Sequence, residues 1–242
     1  MEKVIVIPAR LNSTRLPEKP LIEIEGKSIV QRTYEQCLKV FHKSVVYIAT
    51  DSEKIINHCK KLDMNVVLTS EECLTGTDRV AEFAKKFDAD YYINVQGDEP
   101  IINPDDLRKV EQKIDEFYGK IINGYARIED ESEYWSTSIP KVVYRKDGRL
   151  LYMSRSPIPG NKTNTFKKAW KQICIYAFPK KSLLDFTQYE RKSRFEDIED
   201  IEILRFLEMG YDVQMVPLTG NSIAVDTPED LEKVKNIIKK NG

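Results

Sequence analysis

Three short segments of this 242-residue chain carry side chains suited to phosphate and to a hard metal ion. The first runs from Pro8 to Pro20 (PARLNSTRLPEKP) and sets Arg10, Arg15 and Lys19 among the hydroxyls of Ser13 and Thr14. Three cations in one proline-constrained loop suit a triphosphate, whose roughly four negative charges must be matched locally. The loop has neither a GxGxxG nor a GxxxxGK(S/T) pattern, so it is neither a dinucleotide fingerprint nor a Walker loop. On composition alone it reads equally well as an ordinary solvated loop.

The second segment, Asn94 to Pro100 (NVQGDEP), puts Asp98 next to Gly97, a residue that lets backbone approach closely. A carboxylate just past a strand end is a reasonable magnesium ligand, and an isolated Gly-Asp pair is also an ordinary turn. The third, Ala224 to Asp230 (AVDTPED), sets Asp226 and Thr227 before Pro228, the pattern of a helix cap with proline in the first turn. Both readings hold together if Thr227 caps while Asp226 faces a site. The only histidines, His42 and His58, fall in expected surface helices or at their ends, so a histidine base or metal site has little to use. The chemistry must rest on carboxylates, basic side chains and a hard cation.

The elements that position these segments emerge from hydrophobic spacing. Val4–Ile7, Ser44–Thr50, Asn65–Leu68 and Tyr91–Val95 read as strands, and Ser28–Val40, Asp51–Leu62, Asp78–Phe87 and Pro104 to about Phe117 as helices. This alternation predicts a largely parallel sheet with helices on both faces, and such sheets bind ligands at the carboxyl ends of their strands. Beyond residue 117 the runs KIINGYARI, PKVVYRKDGRLLYMSR and QICIYAF are strand-like, with a hairpin turn at Lys146-Asp147-Gly148. Helices are expected again at about Lys180–Tyr189, Ile198–Met209 and Pro228–Lys239.

Composition narrows the class. The 38 basic and 39 acidic residues nearly cancel, so no bulk field favours nucleic acid or a membrane surface. No apolar run approaches the ~20 residues of a membrane span, and the N-terminus lacks a signal-peptide core. The four cysteines form no CxxC pair, which indicates neither a zinc site nor a disulfide framework. The expectation is a cytoplasmic protein.

Taken in order, PARLNSTRLPEKPL (8–21), TGTDR (75–79), NVQGDEP (94–100), Ser154-Arg155 and VDTPEDLE (225–232) go further than any one of them. The chain resembles the 3-deoxy-manno-octulosonate (Kdo) cytidylyltransferases from end to end. That resemblance implies a three-layer α/β nucleotide-diphospho-sugar transferase fold, with a mixed, largely parallel sheet and a smaller dimerisation lobe. It implies one domain over 1–242, with a nucleotide part at roughly 1–117 plus 210–242 and an acceptor and dimerisation part at roughly 118–209. It also implies a homodimer that uses magnesium to join CMP from CTP to a small acidic sugar. Carried across, it places Pro8, Ala9, Arg10, Ser13, Thr14, Lys19, Thr77, Arg79, Gln96 and Gly97 on the nucleotide, and Asp98 and Asp226 on magnesium. Arg10, Lys19, Asp98 and Asp226 become the catalytic set. Arg155, Gln172, Tyr176, Glu202 and Arg205 fall to the acceptor.

The acceptor motifs depart from the family pattern. Gln172 stands where the family has histidine, and Ile203 where it has glutamine; the stretch from Tyr118 to Ser138 also differs. Ile203 reads either as helix core, beside a stripe of Ile198, Ile201, Leu204 and Leu207, or with Gln172 as the mark of an altered acceptor. The alternatives to Kdo are an amino-Kdo, another ulosonic acid or a phosphonate. A nucleotide-binding protein without turnover is a third reading, against which the carboxylate pair argues.

Overall fold

The computed structural model describes residues 1–11, 15–189 and 191–241. Its strands are β1 (Lys3–Ala9), β2 (Glu23–Ile24), β3 (Lys27–Ser28), β4 (Val46–Thr50), β5 (Val66–Leu68), β6 (Tyr91–Val95), β7 (Ile121–Arg127), β8 (Lys141–Tyr144), β9 (Leu150–Ser154), β10 (Trp170–Pro179) and β11 (Val213–Pro217). Its helices are α1 (Ile29–Leu38), α2 (Glu53–Lys61), α3 (Gly76–Lys86), α4 (Pro104–Glu116), α5 (Glu131–Trp135), α6 (Lys180–Phe186), α7 (Arg194–Glu199), α8 (Ile203–Glu208) and α9 (Pro228–Asn241).

Alternation along β1 sets the layers, because successive side chains leave a strand on opposite faces. Ile5, Ile7 and Ala9 enter one core with Tyr34 of α1, Ile55 of α2 and Val110 of α4. Val6 enters the other with Phe83 of α3, Phe186 of α6 and Leu204 of α8. The main sheet runs β11-β7-β10-β6-β1-β4-β5, with β8 and β9 attached beside β10. Strands β6, β1, β4 and β5 are mutually parallel, as are β11 and β7. Between these groups β10 runs antiparallel to both β6 and β7. A third core packs Val234 of α9 against Leu16, Ile24 and Val225, so the C-terminal helix supports the loop that carries Lys19.

Several boundaries differ from the sequence pattern. Helix α3 begins two residues early because the Thr75 hydroxyl accepts the Asp78 N–H and caps it. The helix expected over Ile198–Met209 is two short helices. A Ser193–Glu196 capping box starts α7 at Arg194, and Asp200 adopts φ 51°, which ends it. The break turns the chain between the two helices: Ile198 is 70% exposed, whereas Ile203 is 1% exposed and packs in the second core. The glutamine-to-isoleucine difference at 203 is therefore core packing and drops out of the case for an altered acceptor. Helix α6 stops at Phe186 rather than Tyr189. Strand β11, hairpin β2–β3 and helix α5 are additions to the sequence pattern.

Candidate functional site

The carboxyl ends of β1 and β6 lie side by side and open into a cleft of about 320 Å³. Gly97 is fixed here by its neighbour strand, since a Cβ would stand 2.7 Å from the Pro8 carbonyl oxygen. On the same floor sits Lys19, 14% exposed, with its ammonium 2.5 Å from Asp98 Oδ2 and 2.9 Å from Asp226 Oδ1. Arg15 adds a contact of 3.2 Å to Asp226. One backbone bond makes this meeting possible: the Val225 N–H donates to the Asp98 carbonyl at 2.9 Å and stitches the third segment to the second. Thr227 and Asp230 then bond reciprocally, so Thr227 starts α9 and leaves Asp226 to the cleft.

The charges reinforce one another. Burial works against the Lys19 ammonium, but Asp98 and Asp226 outweigh it and hold the group above its ordinary value. Burial likewise pushes Asp226 up, and Lys19 with Arg15 brings it below the usual carboxylate range. Next to them Glu99 is buried, its carboxylate accepts from the Ser222 hydroxyl, and burial with the nearby Asp98 and Asp226 pushes it up to about 7.

Around the cleft stand Pro8, Ala9, Arg10, Gln96 and Gly97, as expected for the nucleotide side. Ser13 and Thr14 lie outside the described residues. Arg79 lines the cleft, but its guanidinium is buried and spent on Asp51 at 2.8 Å and on Thr69, bracing two strand-end loops. Thr77 does not reach the opening; it is buried and its hydroxyl donates to Glu202. Sequence reasoning missed Lys192 and Asp200, an ion pair at 2.5 Å on the same wall. No local motif marks Lys192; Asp200 is betrayed only by the helix break.

A second cleft of about 560 Å³ shares Arg15 and Asp226 with the first, so Asp226 stands where the two meet and Asp98 faces the first alone. Both volumes suit small ligands. Of the five residues assigned to the acceptor, Gln172 alone lines this cleft. Its amide N–H donates to Asn123 Oδ1 at 3.0 Å and to the Tyr176 hydroxyl at 3.3 Å. Asn123 in turn donates to the carbonyls of Ile173 and Ile175, filling the bulge in β10. Tyr176 itself is buried behind Gln172.

The structure places the remaining three away from this second cleft. Glu202 lines the first cleft, where its carboxylate accepts the N–H groups of Gly76 at 3.1 Å and Thr77 at 2.9 Å. It thus satisfies the open donors at the start of α3. Arg205 is fully buried, paired with Glu196 and Asp78 and stacked 3.6 Å above the Phe186 ring, and it lines neither cleft. Arg155 spends its guanidinium on backbone carbonyls of residues 137, 138, 199 and 200. Lys171, Cys174, Glu99 and Ser222 line the second cleft and were missed. Glu99 and Ser222 could have been found by reading a few positions to either side of Asp98 and Asp226.

An open α/β sheet whose strand ends join a cation loop to a carboxylate pair, between two adjoining clefts, defines the nucleotidyltransferase class. Comparison agrees and goes further. The family model described as Cytidylyltransferase matches residues 4–215. A 3-deoxy-manno-octulosonate cytidylyltransferase of Chloroherpeton thalassium is 42% identical, over 99% of each chain, and one of Protochlamydia amoebophila 37%, over 97% of this chain and 93% of that one. The solved structure of a CMP:2-keto-3-deoxy-manno-octonic acid synthetase complexed with CTP superposes with TM-score 0.92 at 34% identity, over all of both chains. The chain belongs to the 3-deoxy-manno-octulosonate cytidylyltransferase family.

Proposed function

We infer that this protein transfers CMP from CTP to Kdo and releases pyrophosphate. The observation that carries this reading is the Asp98–Lys19–Asp226 cluster beside two adjoining clefts, the first lined by Arg10, Arg15 and Lys19, the second by Gln172 and Ser222 together with carboxylates such as Asp130 and Glu229. In this reading CTP occupies the first cleft, with its phosphates toward Arg10, Arg15 and Lys19. The acid sugar occupies the second, held partly by Gln172. A sugar hydroxyl attacks the α-phosphorus, the new P–O bond forms, and the bond to pyrophosphate breaks. Negative charge grows on the leaving group, where the basic loop stabilises it.

Among the described residues, no group of three or more histidine, cysteine or acidic side chains gathers as a metal site. The Asp98 and Asp226 pair still fits magnesium, which takes one or two carboxylates and completes its shell with water and phosphate oxygens. Their carboxylates already converge on one cation, the Lys19 ammonium. Bound there, magnesium would neutralise phosphate charge and lower the pKa of a hemiketal hydroxyl.

Among the described residues no helix is long and apolar enough to cross a membrane; a cytoplasmic location is part of the same proposal and rests on the need for CTP. A homodimer is part of the same proposal, and the exposed Phe195 and Ile198 of α7 offer apolar surface for it. Pyrophosphate release with CTP and magnesium across a panel of acids tests the reaction. Release is expected with Kdo above other ulosonic acids, an 8-amino analogue and a phosphonate. Tight CTP binding without release from any acid would overturn it in favour of a binding protein.

A further inference from the structure

The first cleft receives a cation from far outside its basic loop. Lys192 lines it together with Asp200, and its ammonium stands 2.5 Å from Asp200 Oδ1. Both ends of this lysine are fixed. Its backbone leads straight into the Ser193–Glu196 capping box that starts α7. Its tip is held by Asp200, in the turn that ends the same helix. Arg155, which lines neither cleft, braces that turn by donating to the Glu199 carbonyl at 2.6 Å and the Asp200 carbonyl at 2.9 Å.

Stability does not account for this arrangement. The Asp200 side chain is 69% exposed, and an ion pair in such a setting contributes about 0–1 kcal/mol. Asp200 also adopts φ 51° and ψ 49°, a left-handed conformation that costs a non-glycine residue on the order of 1 kcal/mol. The pair returns little more than the turn costs. Backbone strain of this kind collects where a ligand is clamped.

The local charge favours an anion. Asp98 and Asp226 are matched by Lys19 and Arg15, and Glu202 by the N–H groups that open α3. Asp200 is then one carboxylate among three cations. Its hydrogen bond from Lys192 holds the carboxyl below its ordinary value against burial, and the charges of Lys192, Arg155 and Arg10 add to this. Arg10 belongs to the basic loop, so its reach to Asp200 sets Lys192 at the phosphate end of the cleft. An ammonium has three donors, and among the described residues Asp200 is the only acceptor that Lys192 meets. The other two donors can turn to phosphate oxygens without breaking the pair.

We propose that Lys192 is a fourth cation for the triphosphate of CTP, held at the first cleft by Asp200 and binding the phosphates that leave as pyrophosphate. This rests on the reading of the first cleft as the nucleotide's. Most of the triphosphate's charge lies on its two terminal phosphates, where a further cation gains most. That charge grows as the bond breaks, so the same contact serves the reaction as well as binding.

The test is titration calorimetry of the full chain with pyrophosphate and with CMP, each with magnesium, beside steady-state kinetics with CTP and Kdo. Lys192→Gln is expected to weaken pyrophosphate binding and raise the KM for CTP by about fivefold or more, with CMP affinity and the KM for Kdo within about twofold of native. Lys192→Arg keeps the charge and is expected to stay within about threefold of native throughout. The Lys192 side chain takes no part in the capping box, so these variants keep the fold. A merely structural pair would weaken CMP and pyrophosphate alike. Equal weakening of the two overturns the proposal, as do pyrophosphate and CTP values for Lys192→Gln that match native. A rise in the Kdo KM alone overturns it too, and gives Lys192 to the acid sugar. If the native chain binds neither CTP nor pyrophosphate, the reading of the first cleft has itself failed, which is a separate outcome.

Discussion

The two clefts meet at one aspartate and are built in opposite ways. The cleft proposed for the nucleotide stands on the parallel strands β1 and β6, and Arg10, Arg15, Lys19 and Asp98 come from loops that leave those strands directly. The acceptor side has no such base. Its walls are the 136–140 segment, the bulged antiparallel strand β10, and the approach to α9. On the first side the functional groups touch the ligand space themselves. On the second, two are held back behind it: Tyr176 and Asn123 orient Gln172. Direct charge serves a ligand that is always a triphosphate. Indirect support lets a wall be retuned without disturbing the reaction centre.

The largest effects should come from the junction. Asp98→Asn or Asp226→Asn is expected to lower turnover about 100-fold or more while circular dichroism stays native, since each removes one charge from the pair proposed to hold magnesium. A variant that keeps more than a tenth of native turnover, a barrier change of only ~1.4 kcal/mol, shows that its aspartate is not a principal ligand.

Lys19→Ala separates charge balance from catalysis. Without the ammonium, Asp98 and Asp226 face each other with only Arg15 beside Asp226, so the melting temperature should fall in a chelator and recover on adding magnesium. Each ~1 kcal/mol lost corresponds to roughly 2–4 °C for a chain of this size. Turnover at saturating CTP should fall as well, as it should for Arg10→Ala, because charge moves onto pyrophosphate as the bond breaks. An unchanged melting temperature in chelator would mean that the carboxylates do not depend on Lys19.

The smaller effects lie on the acceptor side. Gln172→His should change the acceptor KM by about tenfold and leave the CTP KM alone, because one hydrogen-bonding contact is worth ~1–3 kcal/mol. Ile203→Gln should leave the ranking of acids unchanged and cost about 2–3 kcal/mol of stability, since it buries an amide in the second core. A change of acceptor preference from Ile203→Gln alone would mean that α8 communicates with the cleft after all.

The same contrast explains how far the sequence could be read. Arg10, Arg15 and Lys19 fall within a dozen positions, and Asp98 and Asp226 sit in compact motifs, so the sequence alone brings these five toward one cleft, whereas Thr77 lies off it and Lys192 and Asp200 carry no local signal. The acceptor side is assembled from pieces near residues 99, 133, 172 and 222, and proximity of that kind leaves no spacing signal. Helical periodicity misled at residues 198–209 because Asp200 in a left-handed conformation interrupts the phase, which no apolar count reveals. Strand β11 was missed because Gln214, buried and bonded to the Asp147 carbonyl, breaks its apolar run. The parallel half of the sheet, whose strands alternate regularly with amphipathic helices, was recovered to within a few residues.

The stitch between Val225 and Asp98 also fixes an order of assembly. Lys19 is 79 positions from Asp98 and 207 from Asp226. Loop-closure entropy grows only logarithmically, so the longer closure costs about 1 kcal/mol more than the shorter. Rate is another matter, because contacts between distant positions form late. The expectation is that the 224–227 turn docks after β11 has joined β7 and brought that stretch of chain to the sheet, an order that stopped-flow refolding would read. In a refolding chain, the sheet therefore regains its signal before the capacity to release pyrophosphate returns. A chain caught midway carries a basic loop and one aspartate, and cannot yet spend a nucleotide on water.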